Sequence, residues 1–288
     1  MKQKIGFIGV GMMGHGMAKN LVEKGFPLTV LGHKKRAPVE DLKKRGAKEA
    51  KTVKALVDAS DVIILCVTGT PQVEDMIYRA DGIRAAARKG LTVIDCSTSE
   101  PPSTTKIYAD LKKLGVTFVD APLTRTPIEA EQGRLNTLVG AEPKVLKAIR
   151  PILEAFCENI FHIGGPVSGH QIKLINNFFA IGQGVLISEM FSAMANVGID
   201  PKKLVELISK GAANSGLFQL IAGGGAEGDF ERMKFAIANA SKDVTYYNRM
   251  IDSLGLIGPV AVALQQSLKH AVVLGYGEKM VPSLIEAQ

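Results

Sequence analysis

The start of the chain carries the feature that most limits its fold, a glycine-rich turn between a predicted strand and a predicted helix. Ile5 to Ile8 form an apolar run, and residues at helical spacing continue from Met17 to Lys24 before Gly25 ends the helix. Between them lies a G-x-G-x-x-G turn formed by Gly9, Val10, Gly11, Met12, Met13 and Gly14. In this context the first glycine permits a tight turn, the second lets the backbone approach a pyrophosphate, and the third lets the helix pack on the strand. We therefore predict a dinucleotide site; the alternative is a packing turn without a ligand.

The rest of the first half alternates strand-like and helix-like segments. The strand-like runs are Leu28–Leu31, Asp61–Val67, Thr92–Cys96, Thr117–Val119, Leu138–Val139 and Ile160–Ile163. Several of them are apolar without interruption, which is typical of parallel strands that helices cover on both faces. The pattern predicts a Rossmann domain with a mostly parallel sheet over residues 1–164.

The second half has a different character. From Ser168 to about Val197 the sequence has no strand signal and no proline. A helix of this length would run about 45 Å, and because it is apolar nearly all round we expect it to be buried. Helical segments separated by glycines follow to the end. We therefore predict an α/β protein whose second domain, residues 165–288, is all-α and starts with this long interdomain helix.

Composition excludes several classes of protein. The 288 residues carry a net charge of +7, but the basic residues are dispersed and not interleaved with aromatics, so attraction of small anions explains the charge better than nucleic-acid binding. No stretch reaches the roughly 18 uninterrupted apolar residues of a membrane span, and no signal-peptide cleavage pattern is present. Cys66, Cys96 and Cys157 cannot all pair and lack metal-ligand spacing. We expect a reduced, cytoplasmic protein without a metal.

The end of the second strand bears on the choice of cofactor. An NAD site has Asp or Glu there, which accepts hydrogen bonds from the ribose hydroxyls. This sequence instead reads Leu31-Gly32-His33-Lys34-Lys35-Arg36, without a carboxylate. We therefore favour NADP over NAD, with His33, Lys34 and Arg36 at the 2′-phosphate. The alternative is a solvated basic loop.

Lys173 stands in the first turns of the long helix, with Asn177 four residues further on and Asn176 beside it. Residues four apart share one face of a helix. That face continues through three small residues, Ala180, Gly184 and Ser188. Burial would lower the pKa of the Lys173 ammonium, and such a lysine can protonate an alkoxide near neutral pH. Lys173 is therefore a candidate general acid/base; the alternative is a lysine whose ammonium reaches solvent.

Several segments resemble the β-hydroxyacid dehydrogenases, a family that includes 3-hydroxyisobutyrate dehydrogenase, tartronate semialdehyde reductase and shorter relatives of 6-phosphogluconate dehydrogenase. The resemblance covers the whole chain. Its segments are Ile5 to Leu21, Asp95-Cys96-Ser97-Thr98 before Pro101, Asp120-Ala121-Pro122, Gly169 to Asn177, and Phe235 to Asp243. The resemblance implies that Lys173 is the acid/base, that Asn177 helps hold the substrate, and that Thr98 and Lys242 lie at the cofactor. We also expect Val67 and Thr68 at the cofactor, and Ser97 and Asn176 at the substrate.

One segment departs from the family pattern. Where the family has Ser-Gly-Gly, which holds the substrate carboxylate, this sequence has Thr124-Arg125-Thr126 followed by Pro127. Arg125 would offer an always-charged fork of donors to an oxyanion, and both threonines would add hydroxyls. A similar Gly-Arg-Thr segment in sulfolactaldehyde reductases suits a sulfonate. Two interpretations stay open: Arg125 binds a sulfonate, or Arg125 points to solvent and the substrate is a carboxylate.

Together these observations predict an NAD(P)-dependent oxidoreductase that interconverts a short 3-hydroxy acid and its semialdehyde by hydride transfer. The site is expected in the cleft at the carboxyl ends of the strands, with Thr124, Arg125 and Thr126 around the acid group. A 3-sulfolactaldehyde reductase is the alternative, and an imine reductase or a dinucleotide sensor without catalysis are weaker rivals. We expect no nucleic-acid or membrane partner, and the resemblance implies a homodimer or homotetramer.

Overall fold

The computed structural model describes residues 2–32 and 35–287, and the chain divides into two compact units, residues 1–173 and residues 174–288. The predicted class, a mostly parallel α/β sheet followed by helices, is confirmed. The division between the compact units falls inside one long helix. The predicted domain boundary after residue 164 lies earlier and stays a prediction.

The first unit is built on a nine-stranded sheet. Its strands are β1 (Ile5–Ile8), β2 (Leu28–Leu31), β3 (Lys48–Ala50), β4 (Val62–Leu65), β5 (Thr92–Asp95), β6 (Thr117–Asp120), β7 (Leu123–Thr124), β8 (Leu135–Gly140) and β9 (Cys157–Gly164). Its helices are α1 (Met12–Glu23), α2 (Ala37–Lys44), α3 (Val53–Asp58), α4 (Thr70–Tyr78), α5 (Pro101–Lys113), α6 (Pro127–Gln132) and α7 (Pro143–Leu153), and α8 (Ser168–Val197) begins here.

The strand order is β3-β2-β1-β4-β5-β6-β8-β7, with β9 paired to β8. The first six strands pair in parallel, whereas β8 runs antiparallel to β6 and β7. Successive side chains of a strand face opposite sides of the sheet. Accordingly Val62 and Ile64 of β4 join one buried cluster, and Ile63 and Leu65 join the other. Helices therefore cover both faces, which is why these strands are continuously apolar.

Helix α1 and helix α6 lie backbone against backbone. A Cβ added to Gly16 would lie 2.5 Å from the carbonyl carbon of Ala130, so only glycine permits this approach. Asn20 Nδ2 donates to the Ala130 carbonyl at 3.0 Å, and Lys19 Nζ donates to the Glu131 carbonyl at 2.9 Å. The helix that follows the glycine turn is thus fixed to the helix that follows residues 124–126.

The second unit is helical. After α8 it contains α9 (Pro201–Ser209), α10 (Gly216–Phe218), a π-helical segment (Gln219–Gly223), α11 (Gly224–Ala226), α12 (Ile237–Ser253), α13 (Pro259–Ala271), a second π-helical segment (Val272–Tyr276) and a 3-10 helix (Val281–Ala287). Ile181 and Val185 of α8 pack with Ile237 and Val244 of α12 and with Leu268 of α13. These apolar contacts form the core of the unit.

Helix α8 spans 30 residues, as predicted, but it is not buried on all sides. Leu174 and Ile181 are buried, whereas Phe179 is 68% and Leu186 is 58% exposed. The prediction of burial all round is therefore wrong for a single chain, because packing covers only part of the helix surface. Within residues 2–32 and 35–287, α8 alone is long and apolar enough to cross a membrane, a test that the core helix of a soluble protein also passes.

Candidate active site

The three glycines of the turn have different surroundings. Gly9 has a φ of +101°, and a Cβ added to it would lie 2.1 Å from the carbonyl oxygen of Cys66. A Cβ on Gly14 would lie 1.9 Å from the carbonyl oxygen of Gly9. A Cβ on Gly11, by contrast, meets nothing within 4 Å. Packing therefore requires glycine at 9 and 14, and Gly11 borders open space that a ligand can enter.

The first turn of α1, next to Gly11, suits an anion. Among the described residues no side chain caps this helix, and its first turn contains no acidic residue. Its leading N–H groups and the positive end of the helix dipole are therefore available to a negative group. Val10 is buried and Met13 packs against the core, while Met12 is largely exposed. The turn thus fits the diphosphate of a dinucleotide.

The end of the second strand is only partly described. His33 and Lys34, predicted at the 2′-phosphate, lie outside the described residues. Arg36 is the N-terminal flanking residue of α2, and its guanidinium lies 2.6 Å from carboxylate oxygens of both Glu40 and Glu49. The arginine predicted to bind phosphate is therefore already paired with two carboxylates.

The carboxyl ends of β4 and β5 are joined by Ser97. The Val67 N–H donates to Ser97 Oγ at 3.0 Å, and the Ser97 N–H donates to Asp95 Oδ1 at 2.9 Å. Thr98, the next residue, is half-buried, and Thr68 is exposed. The structure thus brings Val67 and Ser97 together at the strand ends.

The start of α8 is anchored to β6 by a buried carboxylate. Asp120 Oδ1 accepts the Val167 N–H at 2.8 Å, and Asp120 Oδ2 accepts the His170 N–H at 2.9 Å. Burial raises the pKa of Asp120, and these donors and His170 oppose that rise. Gly169 allows the approach, because a Cβ there would lie 2.3 Å from the Leu138 carbonyl oxygen.

The His170 side chain links the same helix start to β5 and α5. Its Nδ1 lies 2.8 Å from Thr104 Oγ1, and its Nε2 lies 3.2 Å from the carbonyl oxygen of Ser97. The ring is completely buried. Neither His170, Asp95 nor Asp120 was among the predicted site residues, although both aspartates stand in the segments that carry the family resemblance.

Lys173 follows His170 by three residues and is half-buried. The small residues predicted to continue the Lys173 face serve packing further along α8. A Cβ on Gly184 would lie 2.6 Å from a side-chain carbon of Val281. Ser188 donates its hydroxyl to the Val185 carbonyl at 2.7 Å. Only the beginning of the predicted stripe therefore remains a candidate for chemistry.

The segment 124–126 uses its side chains within the fold. Arg125 has a φ of +79°, the left-handed region that glycine prefers, and its Nη1 donates to Glu158 and to the Arg134 carbonyl. The Thr126 hydroxyl lies 2.5 Å from Glu129 Oε2 in a capping box that starts α6. Thr124 ends the short strand β7 and is half-buried. Arg125 and Thr126 therefore each have partners within the fold, and the predicted clamp of three side chains stays a prediction.

In the second unit the predicted residues meet at a carboxylate that the sequence analysis did not assign. Asn177 Nδ2 donates to Asp243 Oδ2 at 2.6 Å, and Lys242 Nζ lies 3.1 Å from Asp243 Oδ1. Asn176 Nδ2 donates to Asn177 Oδ1 at 3.3 Å. Asp243 is 3% exposed, so it fixes the Asn177 amide from inside the unit. The sequence feature that could have identified Asp243 is its position directly after Lys242.

Neither thiol nor metal chemistry has support in the described chain. Burial raises the pKa of the Cys66 thiol to about 12 and that of Cys96 well above its usual value, so both stay protonated at neutral pH. Within residues 2–32 and 35–287 no three His, Cys, Asp or Glu side chains are grouped as metal ligands.

Comparison with known proteins covers almost the whole chain. Residues 4–164 match the family model described as the NAD binding domain of 6-phosphogluconate dehydrogenase. Residues 167–286 match the model described as NAD-binding of NADP-dependent 3-hydroxyisobutyrate dehydrogenase.

Individual relatives agree with these models. The chain is 29% identical to 2-hydroxy-3-oxopropionate reductase of Escherichia coli over 99% of its own length and 96% of the relative. It is 33% identical to an NAD-dependent L-serine dehydrogenase of Pseudomonas aeruginosa over 75% of this chain and 72% of that one. The structure of Mycobacterium tuberculosis 3-hydroxyisobutyrate dehydrogenase with L-serine has the same fold, with a TM-score of 0.89, 22% identity and 99% of both chains covered. The chain therefore belongs to the β-hydroxyacid dehydrogenase family, as an NAD(P)-dependent 3-hydroxyacid dehydrogenase or semialdehyde reductase.

Proposed function

We propose that this enzyme interconverts a short 3-hydroxy acid and its semialdehyde, with Lys173 as general acid/base and a carboxylate as the acid group of the substrate. The observation that carries the proposal is the anchoring of the helix start that bears Lys173. Asp120 and His170 tie residues 167–170 to β6 and to the Ser97 carbonyl, beside the strand ends where Val67 and Thr98 lie. A lysine on a rigid element beside the cofactor-side strand ends is suited to proton transfer.

The dinucleotide, when bound, supplies or accepts the hydride. The turn at Gly11 and the first N–H groups of α1 hold its diphosphate, and Val67, Thr68, Thr98 and Lys242 hold its nicotinamide end. We keep NADP as the favoured cofactor, with His33, Lys34 and Arg36 at its 2′-phosphate, although Arg36 would have to share its guanidinium with Glu40 and Glu49. The diphosphate assignment rests on the open space at Gly11 and the uncapped helix start, and those of Val67, Thr68 and Thr98 rest on their places at the strand ends. The assignments of Lys242, His33 and Lys34 rest on the sequence alone.

Lys173 donates a proton to the developing alkoxide oxygen during aldehyde reduction and takes it back during oxidation. Asn177 orients the same oxygen. One of its amide N–H groups donates to Asp243, which fixes the amide, and an amide has a second N–H that can donate to a substrate oxygen. Ser97 and Asn176 complete the substrate contacts.

The acid group lies at residues 124–126, where Thr124 contributes its hydroxyl. We favour a carboxylate because the Arg125 guanidinium already donates to Glu158 and to the Arg134 carbonyl. A sulfonate bound by Arg125, as in a sulfolactaldehyde reductase, would require this arginine to leave both partners. The proposed partners are thus a small anionic substrate and further copies of this chain, as a homodimer or homotetramer in the cytoplasm.

The direct test is Lys173→Ala, with NADPH oxidation followed over a panel of succinate, methylmalonate and tartronate semialdehydes and sulfolactaldehyde. Loss of a general acid lowers kcat by at least roughly 10²-fold. The exposed Lys269→Ala variant is the matched control and keeps wild-type turnover. A loss of less than about fivefold in Lys173→Ala removes this lysine from the mechanism.

The same panel of four aldehydes, measured with the Arg125→Gly variant, tests whether the acid group of the substrate is a carboxylate or a sulfonate. If a carboxylate binds without the arginine, the ranking of the four aldehydes stays as in the wild type. Selective loss of sulfolactaldehyde reduction would instead assign Arg125 to a sulfonate substrate.

A further inference from the structure

A carboxylate from another strand lies at the end of β2, although the residues that directly follow β2 in the sequence include no Asp or Glu. The residue that follows β2 is Gly32, whose N–H donates to the Ala50 carbonyl of β3 at 3.3 Å. A Cβ added to Gly32 would lie 2.3 Å from Oε1 of Glu49, the residue before Ala50. The Glu49 carboxylate therefore occupies, from the neighbouring strand, the space that a side chain at position 32 would fill.

The fold holds Glu49 in this place on two sides. Parallel pairing of β2 with β3 sets Val30 opposite Glu49, which fixes the backbone. Arg36 then binds the carboxylate with both ends of its guanidinium, Nη1 to Oε1 at 2.6 Å and Nη2 to Oε2 at 2.9 Å. The hydrogen bonds from Arg36 lower the pKa of Glu49 to about 2, so Glu49 is ionised at neutral pH.

The charges around Arg36 balance among the described residues. Glu40 accepts a second hydrogen bond from Arg36 Nη2 at 2.6 Å, and Lys43 Nζ lies 3.1 Å from Glu40 and 3.5 Å from Glu49. Two cations therefore face two carboxylates. A 2′-phosphate that binds Arg36 must share it with Glu49 and accept a negative charge as its neighbour.

We propose that Glu49 sets the cofactor preference of this enzyme: it accepts hydrogen bonds from the ribose hydroxyls of NAD and opposes the 2′-phosphate of NADP at Arg36. In an NAD site an acidic residue at the end of the second strand has the first of these roles, and here β3 provides it. The enzyme consequently uses both cofactors, with a weaker preference for NADP than Arg36 alone would give. This inference rests on the proposed dinucleotide site.

Binding of cofactor halves tests Glu49 without any catalytic step. ADP-ribose and 2′-phospho-ADP-ribose differ only in the 2′-phosphate, and isothermal titration calorimetry gives Kd for both. Glu49→Gln keeps the side-chain shape and removes the charge. In Glu49→Gln we expect the Kd for ADP-ribose divided by the Kd for 2′-phospho-ADP-ribose to rise at least tenfold. Weaker binding of ADP-ribose and tighter binding of 2′-phospho-ADP-ribose both contribute to this rise.

Glu40→Gln is the matched control, because Glu40 also bonds to Arg36 but does not lie against Gly32. It leaves Kd for ADP-ribose within about twofold of the wild type. Gly32→Ala is a second, independent variant: its Cβ displaces the Glu49 carboxylate, so it shifts the ratio in the same direction as Glu49→Gln.

Three results would overturn the inference. One is a ratio in Glu49→Gln within about twofold of the wild type, and another is an equal effect of Glu40→Gln on ADP-ribose. In both cases wild-type binding of the two ligands would leave the dinucleotide site itself intact. The third, a wild type that binds neither ligand, would overturn the proposed site together with the role of Glu49.

Discussion

His170 has no solvent-accessible surface, yet both of its ring nitrogens and its backbone N–H have partners. Asp243 is also buried: its Oδ2 accepts a hydrogen bond from Asn177, and its Oδ1 lies 3.1 Å from Lys242 Nζ. Buried polar groups are costly unless they are paired, and paired they fix geometry. At the scale of single residues, buried polar groups in both units, among them Asp120, His170 and Asp243, therefore orient the side chains proposed for chemistry.

Replacement of His170 tests how much this arrangement stabilises the fold. In His170→Leu the Ser97 carbonyl and the Thr104 hydroxyl lose a buried partner. Since each unpaired buried polar group costs about 1–3 kcal/mol, we expect the free energy of unfolding to fall by about 2 kcal/mol or more. Urea unfolding followed by circular dichroism measures it.

His162→Leu is the control for His170→Leu. His162 is exposed and its Nε2 bonds a single carbonyl, that of Ala141 at 2.8 Å. Its replacement is expected to change the free energy of unfolding by less than about 0.5 kcal/mol. Equal effects of the two substitutions would contradict the anchoring role of His170.

The sequence could identify residues whose role depends on neighbours along the chain. The glycines of the first turn are of this kind, because strand, turn and helix are contiguous. The partners of His170, Arg125 and Glu49 are set by tertiary contacts between distant segments or by the register of paired strands. No local pattern predicts that Glu49 would fill the space at Gly32, because β3 brings this carboxylate there by strand pairing.

At the scale of elements, the segment from β7 to α6 combines two opposing features. The capping box of Thr126 and Glu129 starts α6 firmly, while Arg125 holds a left-handed backbone conformation that costs a non-glycine residue roughly 1–2 kcal/mol. Its ion pair with Glu158 is partly exposed, and such pairs contribute about 0–1 kcal/mol. The cost of the left-handed backbone conformation at Arg125 is therefore larger than the stabilisation from its ion pair.

Arg125→Gly should therefore not destabilise the protein. Relief of the backbone conformation outweighs the lost contacts with Glu158 and with the Arg134 carbonyl. Glu158→Gln, by contrast, loses the ion pairs with both Arg125 and Arg134 and gains no such relief. We expect Arg125→Gly to be more stable than Glu158→Gln by about 1 kcal/mol, as measured by urea unfolding of both variants. Lower stability of Arg125→Gly than of Glu158→Gln would show that the interactions of this arginine dominate.

The elements found from the sequence were those with a strong apolar pattern. Strands β1, β4 and β5 are buried on both faces, and α8 is long and lacks proline. The short strands β3 (Lys48–Ala50) and β7 (Leu123–Thr124) were missed, because two or three residues cannot show a period. Burial of α8 was overestimated for a related reason: composition gives apolar character but not which side is covered.

At the scale of the whole molecule, many of the charged side chains form local ion pairs. Hydrogen bonds from neighbouring side chains lower the pKa of a set of carboxyls on the first unit. They are Glu40, Asp41, Glu49, Asp110, Glu129 and Glu158. Asp120 differs, since burial raises its pKa.

These shifts predict how stability depends on pH. A carboxyl whose pKa is lower in the folded state stabilises it above its unfolded pKa, and this contribution is lost as the pH falls through the folded value. For Glu49 the window runs from 4.5 down to about 2. Asp120 has the opposite sign and offsets part of the loss.

We therefore expect Tm, measured by circular dichroism, to fall steadily between pH 5 and about pH 2.5, because the paired carboxyls greatly outnumber Asp120. Most of these pairs are exposed, so 0.5 M NaCl should reduce the decline by screening. A Tm that stays constant over this range would contradict the assigned ion pairs.

The backbone contact of Gly16 with Ala130 has a consequence for how new substrate specificities could arise. It braces the far end of residues 124–126 on α1, and pairing of β7 with β8 braces the near end. Substitutions within this short stretch that keep the Thr126 cap of α6 can therefore change its side chains, while its two attachment points and the glycine turn before α1 keep their places. The proposed acid-group site at residues 124–126 and the proposed coenzyme-selecting pair of Gly32 and Glu49 could then evolve independently.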